Sequence, residues 1–239
     1  TEDSTLRVLD VATGEIVDGP IDRTRYSPVA WLRDQDAFYY VRRLAPDLVP
    51  DDERQYHRRV YLHRVGSPAA DDAEIFGAGR LKTSYYGVGV SWDGRWLTVS
   101  AAEGTDPRND VWLADLQAGP LTAPQLKPVI TGEDARTSVA VGRDGRLYVS
   151  TDLGAPRGRL AVTDPTDPGP ATWRDLIPER PDAVLDDYLV LDDGNRPAAQ
   201  VLVSWTRHAV SELSVHTATD GTIVRRVELP GLGTLGALI

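Results

Sequence analysis

The chain has 239 residues and carries 26 Lys and Arg against 36 Asp and Glu, a formal net charge of −10. A surface of that sign repels the phosphate backbone that supplies most of the affinity for nucleic acid, and repels anionic lipid for the same reason, so neither nucleic acid nor membrane is expected as a partner. There is no cysteine and hence no disulfide, and no apolar run approaches the ~20 residues of a membrane span. Cytoplasm is the default compartment. With no methionine anywhere, and with Leu-Gly-Ala-Leu-Ile as its last five residues, the chain reads as a piece of something longer.

In chain order, residues 5–10 alternate as a strand and turn through 11–15 into a second strand at Ile16 and Val17, an outer pair with no inner hairpin before it. Residues 26–43 form the next hairpin. Residues 44–55 are a long, acidic, proline-bearing loop, and strands resume over 56–65 and 72–76. The clearest stretch is 87–116, where Val88 and Val90 lead into Asp93-Gly94 and Trp96, Leu97, Val99 and Ala101 lead out. Asp-Gly favours a two-residue hairpin turn. A third run over 109–116 places Val111, Leu113 and Leu116 on one face. Strands are further expected over 125–131, on both sides of Asp144 within 137–150, and over 160–164 and 173–177, the last two separated by the breaker run 165–170. The final set covers 188–191, 200–206, 212–216 and 223–229. No segment has helical periodicity over eleven residues.

Hairpin turns near Asp34, Asp93, Asp144 and Asp193 are spaced by 59, 51 and 49 residues. A period near fifty with four short strands per unit is the pattern of a β-propeller, whose blades bury their faces against neighbouring blades. The expected fold is therefore all-β, a partial propeller of about four to five four-stranded antiparallel blades. It forms a single domain over 1–239, with blades at 1–25 (in part), 26–80, 81–132, 133–180 and 181–239. A β-sandwich is the other all-β architecture with comparable strand spacing.

Few residues offer chemistry. The Gly-x-Ser-x-Gly elbow of serine hydrolases does not occur in the chain. His57, His63, His208 and His216 each lie in or beside an alternating strand and are read as structural or surface residues. His57 and His63 share strand parity but lack a third metal ligand. The acidic clusters at Asp71-Asp72, Asp186-Asp187 and residues 192–195 lack the spacing of a calcium loop. No metal and no cofactor is called for. Trp31, Trp92, Trp96, Trp112, Trp173 and Trp205 are read as blade-packing residues.

Six stretches carry a family likeness: Tyr-Ser-Pro-Val-Ala-Trp at 26–31 with Phe-Tyr-Tyr at 38–40; residues 56–66; Val-Ser-Trp-Asp-Gly-Arg-Trp at 90–96; Glu-Gly-Thr-Asp-Pro-Arg-Asn at 103–109; Trp-Arg-Asp-Leu-Ile-Pro-Glu at 173–179; and Leu-Pro-Gly-Leu-Gly at 229–233. In this order they resemble the propeller of the prolyl oligopeptidase family of serine peptidases. The resemblance implies a seven-bladed propeller over an α/β-hydrolase domain, in an enzyme that cuts short peptides after proline. It places this chain in the middle of the propeller, from the second half of the second blade into the sixth or seventh. The family's catalytic serine, aspartate and histidine have no counterpart here, so no catalytic residue is expected.

The resemblance also places three substrate-pocket wall positions on Tyr26, Tyr85 and Thr105, and puts Ala102 where the family has a substrate-anchoring arginine. The implied function is non-catalytic: a gate and substrate filter for a peptidase acting on short proline-containing peptides, with the hydrolase domain of the same parent chain and the peptides as partners. The alternative is a stand-alone propeller that binds a protein or peptide through residues 44–54. A propeller cut short has unpaired edges, so closure into a smaller ring or edge-to-edge self-association is expected.

Overall fold

A computed structural model of the chain describes residues 3–191 and 199–238. The hairpin turn expected at Asp193 and the acidic run 192–195 lie outside the described residues. Every sheet is antiparallel and its strands pair in chain order, which is the meander expected when strands are short and joined by tight turns. The chain divides into two compact units, Thr1–Thr131 and Gly132–Ile239.

The first unit begins with a two-stranded ribbon, β1 (Leu6–Leu9) and β2 (Ile16–Ile21). Asp10 makes its turn by accepting hydrogen bonds from the Ala12 and Thr13 amides at 2.8 and 2.9 Å. One four-stranded sheet follows, β3 (Val29–Trp31), β4 (Ala37–Arg43), β5 (Arg58–Arg64) and β6 (Ala73–Phe76). A second comprises β7 (Ser84–Val90), β8 (Trp96–Glu103), β9 (Asp110–Asp115) and β10 (Lys127–Ile130). The second unit contains β11 (Thr137–Val141), β12 (Leu147–Thr151), β13 (Arg159–Thr163) and β14 (Arg174–Ile177), then β15 (Val184–Leu191), β16 (Gln200–Arg207), β17 (Val210–Thr217) and β18 (Ile223–Val227). Helical structure among the described residues is confined to three-residue 3-10 turns at Pro46–Leu48, Asp51–Glu53 and Pro170–Thr172.

Middle strands are buried on both faces. In β9, Val111 and Leu113 are buried as expected, as is Leu116 just beyond it, and so are Trp112 and Ala114 between and after them. A strand inside a stack of sheets has two inner faces, so period-two alternation disappears from its sequence. In the first unit one core joins Tyr39, Val41, Val60 and Leu62 of the earlier sheet to Tyr86, Leu97, Val99 and Ala114 of the later one. Each valine or leucine among them contributes ~2 kcal/mol by leaving water. The second unit has its own core, built on Tyr148, Leu160, Val162, Val201, Val203 and Trp205.

The β7–β8 hairpin is present but its turn is longer than the two residues expected. Ser91 closes the loop by donating its amide to the Trp96 carbonyl at 2.9 Å, leaving four residues between them, and Gly94 alone takes a left-handed φ of 74°. Ser91 Oγ accepts the Trp96 amide at 2.8 Å, and a serine at that position stabilises the wider loop. The tryptophans also divide. Trp96, Trp112 and Trp205 are buried, whereas Trp31 and Trp92 are exposed at the turn end of their strands. The Arg33 guanidinium sits 4.5 Å from the Trp92 ring centre.

Candidate functional site

The predicted wall residues occupy one end of the first unit's two sheets, opposite the turns that carry Trp31 and Trp92. Tyr26 lies just before β3 with φ at 56°, a left-handed conformation that a bulky side chain seldom adopts. A local network holds it there. The Ser27 amide donates to the Thr24 carbonyl at 3.1 Å, Ser27 Oγ accepts the Val41 amide at 3.0 Å, and Thr24 Oγ1 donates to the Ser4 carbonyl at 3.0 Å. The Tyr26 ring is thereby presented to solvent, 62% exposed.

Tyr85 is the second residue of β7 and pairs with Ala102 of β8, so the position where the family resemblance expects an arginine directly faces this tyrosine. The two tyrosine rings meet at 6.3 Å between centres, tilted by 51°. Thr105 is exposed in the turn after β8, two residues beyond Glu103, which pairs with Ser84. That turn is locked by Arg108, whose guanidinium holds the Asp106 carboxyl down to about 2. Thus Tyr26 and Tyr85 are in contact, and Thr105 stands at the same end of the β7–β8 pair.

Beneath them are arginines that the sequence did not single out. Arg25 Nη2 donates to the Tyr26 hydroxyl at 3.2 Å, with its guanidinium carbon 4.8 Å from that ring centre. Arg58, the first residue of β5, pairs in register with Arg43 of β4 and stacks on Tyr85 at 3.8 Å from the ring centre. Arg58 is only 4% exposed. Burial presses its ionisation below the ordinary arginine value, and the Arg43 and Arg25 charges add to the effect while Tyr85 opposes it. A usable signal was present: Arg58 has the parity of Val60 and Leu62, so alternation read one step further aims it inward.

The histidines have other roles. His57 has φ at 57° and lies outside β5, so strand parity does not run through it and it does not share a face with His63; its Nε2 is 2.6 Å from Glu53. His63 is fully buried between two carboxylates, with Nε2 2.8 Å from Asp18 and Nδ1 2.8 Å from Asp72. Asp72 also accepts the Tyr40 hydroxyl at 2.6 Å, so the acidic cluster at this position is a core network. His216 lies between Ser214 Oγ and the Gly221 carbonyl, and His208 is in an exposed turn. In the second unit a cavity of about 1030 Å³ opens beside β17 and β18, lined by Arg180, Trp205, Glu212 and Leu232 among others; none of the predicted wall residues borders it.

No helix among the described residues is long and apolar enough to cross a membrane. Sequence comparison aligns the chain at 27% identity with a prolyl endopeptidase from Elizabethkingia miricola, over 96% of this chain and 30% of the relative. It aligns at 28% identity with one from Elizabethkingia meningoseptica, over 95% of this chain and 30% of the relative. The chain therefore spans about a third of the length of these relatives. Among solved structures, one from a study of two prolyl endopeptidases superposes with a TM-score of 0.83 at 28% identity, over 97% of this chain and 32% of that one. Prolyl oligopeptidase B from Galerina marginata, bound to a 35-residue substrate, superposes at 0.79 and 21% identity, over 94% of this chain and 30% of that one, which speaks for the fold alone. The description "Prolyl oligopeptidase, N-terminal beta-propeller domain" matches residues 1–238, and with that span the chain belongs to the prolyl oligopeptidase N-terminal β-propeller family.

Proposed function

We propose that the chain is the gating and substrate-filtering propeller of a prolyl oligopeptidase-like serine endopeptidase acting on short proline-containing peptides. The observation that carries this reading is the family match over residues 1–238, in a chain that covers about 30% of peptidase relatives. On this reading the catalytic groups belong to an α/β-hydrolase domain of the same parent polypeptide. The five sheets are blades of one propeller, with the β1–β2 ribbon as the outer half of a blade, and Tyr26, Tyr85 and Thr105 form the wall that meets the peptide. The contact between Tyr26 and Tyr85 supports that wall, since exposed aromatic rings at one site offer stacking area to a flexible chain at low entropic cost. On this reading the filter works by size, admitting extended peptides and excluding folded proteins.

The test is cleavage by the parent polypeptide of a proline-containing peptide, free and embedded in a folded protein, before and after deletion of residues 1–239. The filter reading expects the intact parent to cut only the free peptide and the deletion to lose that selectivity. Equal cleavage of both substrates by the intact parent would overturn it. A parent polypeptide with no hydrolase segment would instead favour a stand-alone binding propeller.

A further inference from the structure

Arg58 is a buried cation whose counter-charge the protein does not supply. Its Nε and Nη1 are fully buried with no hydrogen-bond partner, and no carboxylate among the described residues is within ion-pair distance. Asp3 pairs with Arg43, Asp51 with Arg54, Glu53 with Lys82 and His57, and Asp106 with Arg108. The Tyr85 ring covers one face of the guanidinium and eases its burial, but supplies no counter-charge and leaves Nε and Nη1 without a partner. Leaving a charge desolvated and unpaired is among the costliest arrangements a fold tolerates. This one sits under the two exposed tyrosines, in a chain that is otherwise strongly acidic.

We propose that Arg58, framed by Tyr85 and Tyr26, is a carboxylate-binding subsite that takes an acidic side chain of a peptide. The chemistry fits on three counts. A guanidinium fork matches a planar carboxylate with two parallel hydrogen bonds, and does so most strongly where water is excluded. Arg43 and Arg25 add positive potential: Arg43 holds Asp3 and the Arg54 carbonyl through its Nη atoms, and Arg25 donates to the Tyr26 hydroxyl. The tyrosine faces provide apolar contact for the rest of the residue. Ala102 leaves the strand opposite Tyr85 without a cation, and Arg58 on the neighbouring sheet puts a charge in contact with that wall. The assignment rests on the peptide-binding reading above for its ligand, but the anion site can be tested separately.

The experiment is calorimetric titration of the 239-residue chain with acetyl-Glu-Ala-Pro-amide, acetyl-Gln-Ala-Pro-amide and glutarate, repeated with Arg58→Met and Arg58→Lys. The glutamate peptide is expected to bind at least about tenfold more tightly than the glutamine peptide, the scale of one charge-assisted hydrogen bond. The gap closes in Arg58→Met and returns in part in Arg58→Lys. Equal binding of the two peptides, or a gap that survives Arg58→Met, overturns the carboxylate subsite and leaves the peptide reading intact. Glutarate binding that depends on Arg58, with neither peptide bound, upholds the anion site and counts against the peptide reading. No binding of any probe overturns both. Should Arg58→Met fail to fold, the wild-type Arg58 Nε–H resonance decides: it must shift with the glutamate peptide and not with the glutamine peptide, and an unmoved signal overturns the assignment.

Discussion

Two buried basic side chains in the first unit, His63 and Arg58, are built to opposite plans. His63 is enclosed by Asp18 and Asp72, and Asp72 in turn takes the Tyr40 hydroxyl, so each polar atom has its partner inside the fold. Burial, with Asp72 adding to it, pushes the Tyr40 hydroxyl well above the usual phenol range and keeps it a donor. Arg58 is nearly as buried and has no such enclosure. The difference shows what separates a structural side chain from one kept for an outside group: the fold supplies the partners in the first case and withholds them in the second.

The comparison breaks most visibly at Asp72. Asp72→Ala leaves His63 Nδ1 and the Tyr40 hydroxyl without partners in the core, and should lower stability by about 3–5 kcal/mol in urea unfolding. A loss below 1 kcal/mol would mean that water had taken over the network. Arg58→Met should act with the opposite sign. It removes a desolvated charge with two orphan donors and should raise stability by about 1–3 kcal/mol, while abolishing any selectivity for acidic peptides. Destabilisation by that variant would show that Arg58 has a counter-charge within the fold.

A smaller effect comes from pH. Burial alone would raise the Asp18 carboxyl, but hydrogen bonds from His63 and from the Gly66 and Gly19 amides outweigh it and hold it below its ordinary value of 3.8. A lowered carboxylate stabilises the folded chain fully above that ordinary value, and the contribution is lost as pH falls through the folded value. Melting temperature should therefore drop on acidification below pH 3.8, and Asp18→Asn should flatten that part of the profile. Smallest is Arg108→Ala. Asp106 should return from about 2 toward 3.8 in a titration followed by NMR with no measurable change in melting, because the pair is solvated and the partners gain little by meeting.

Strand order and hairpins were legible because turn residues announce themselves locally: the Asp93-Gly94 and Asp144-Gly145 pairs sit between β7 and β8 and between β11 and β12. Family membership was legible from six ordered stretches. What escaped depends on separation in the chain and on double burial. Asp18 and His63 are 45 residues apart, and nothing in either neighbourhood names the other. The stretch 111–114 reads as one-sided until a second layer covers its outer face. Arg58 looked like an ordinary basic residue beside Arg59, and only strand parity tells the two apart. Trp31 and Trp92 were read as packing because size favours burial, yet both fall where their strands run out into turns.

The β1–β2 ribbon has only two strands, and a lone hairpin of that kind is marginal in water. Its order is borrowed: Ile21 joins the Phe38 and Tyr40 cluster, and the Asp18 carboxylate clasps both His63 and the Gly66 amide on the adjoining sheet. Protonating one side chain therefore loosens a whole flap. Protection against deuterium exchange at Leu6–Leu9, taken relative to the slower intrinsic rate in acid, should fall well before that of the inner strands, making this ribbon the chain's own reporter of proton concentration.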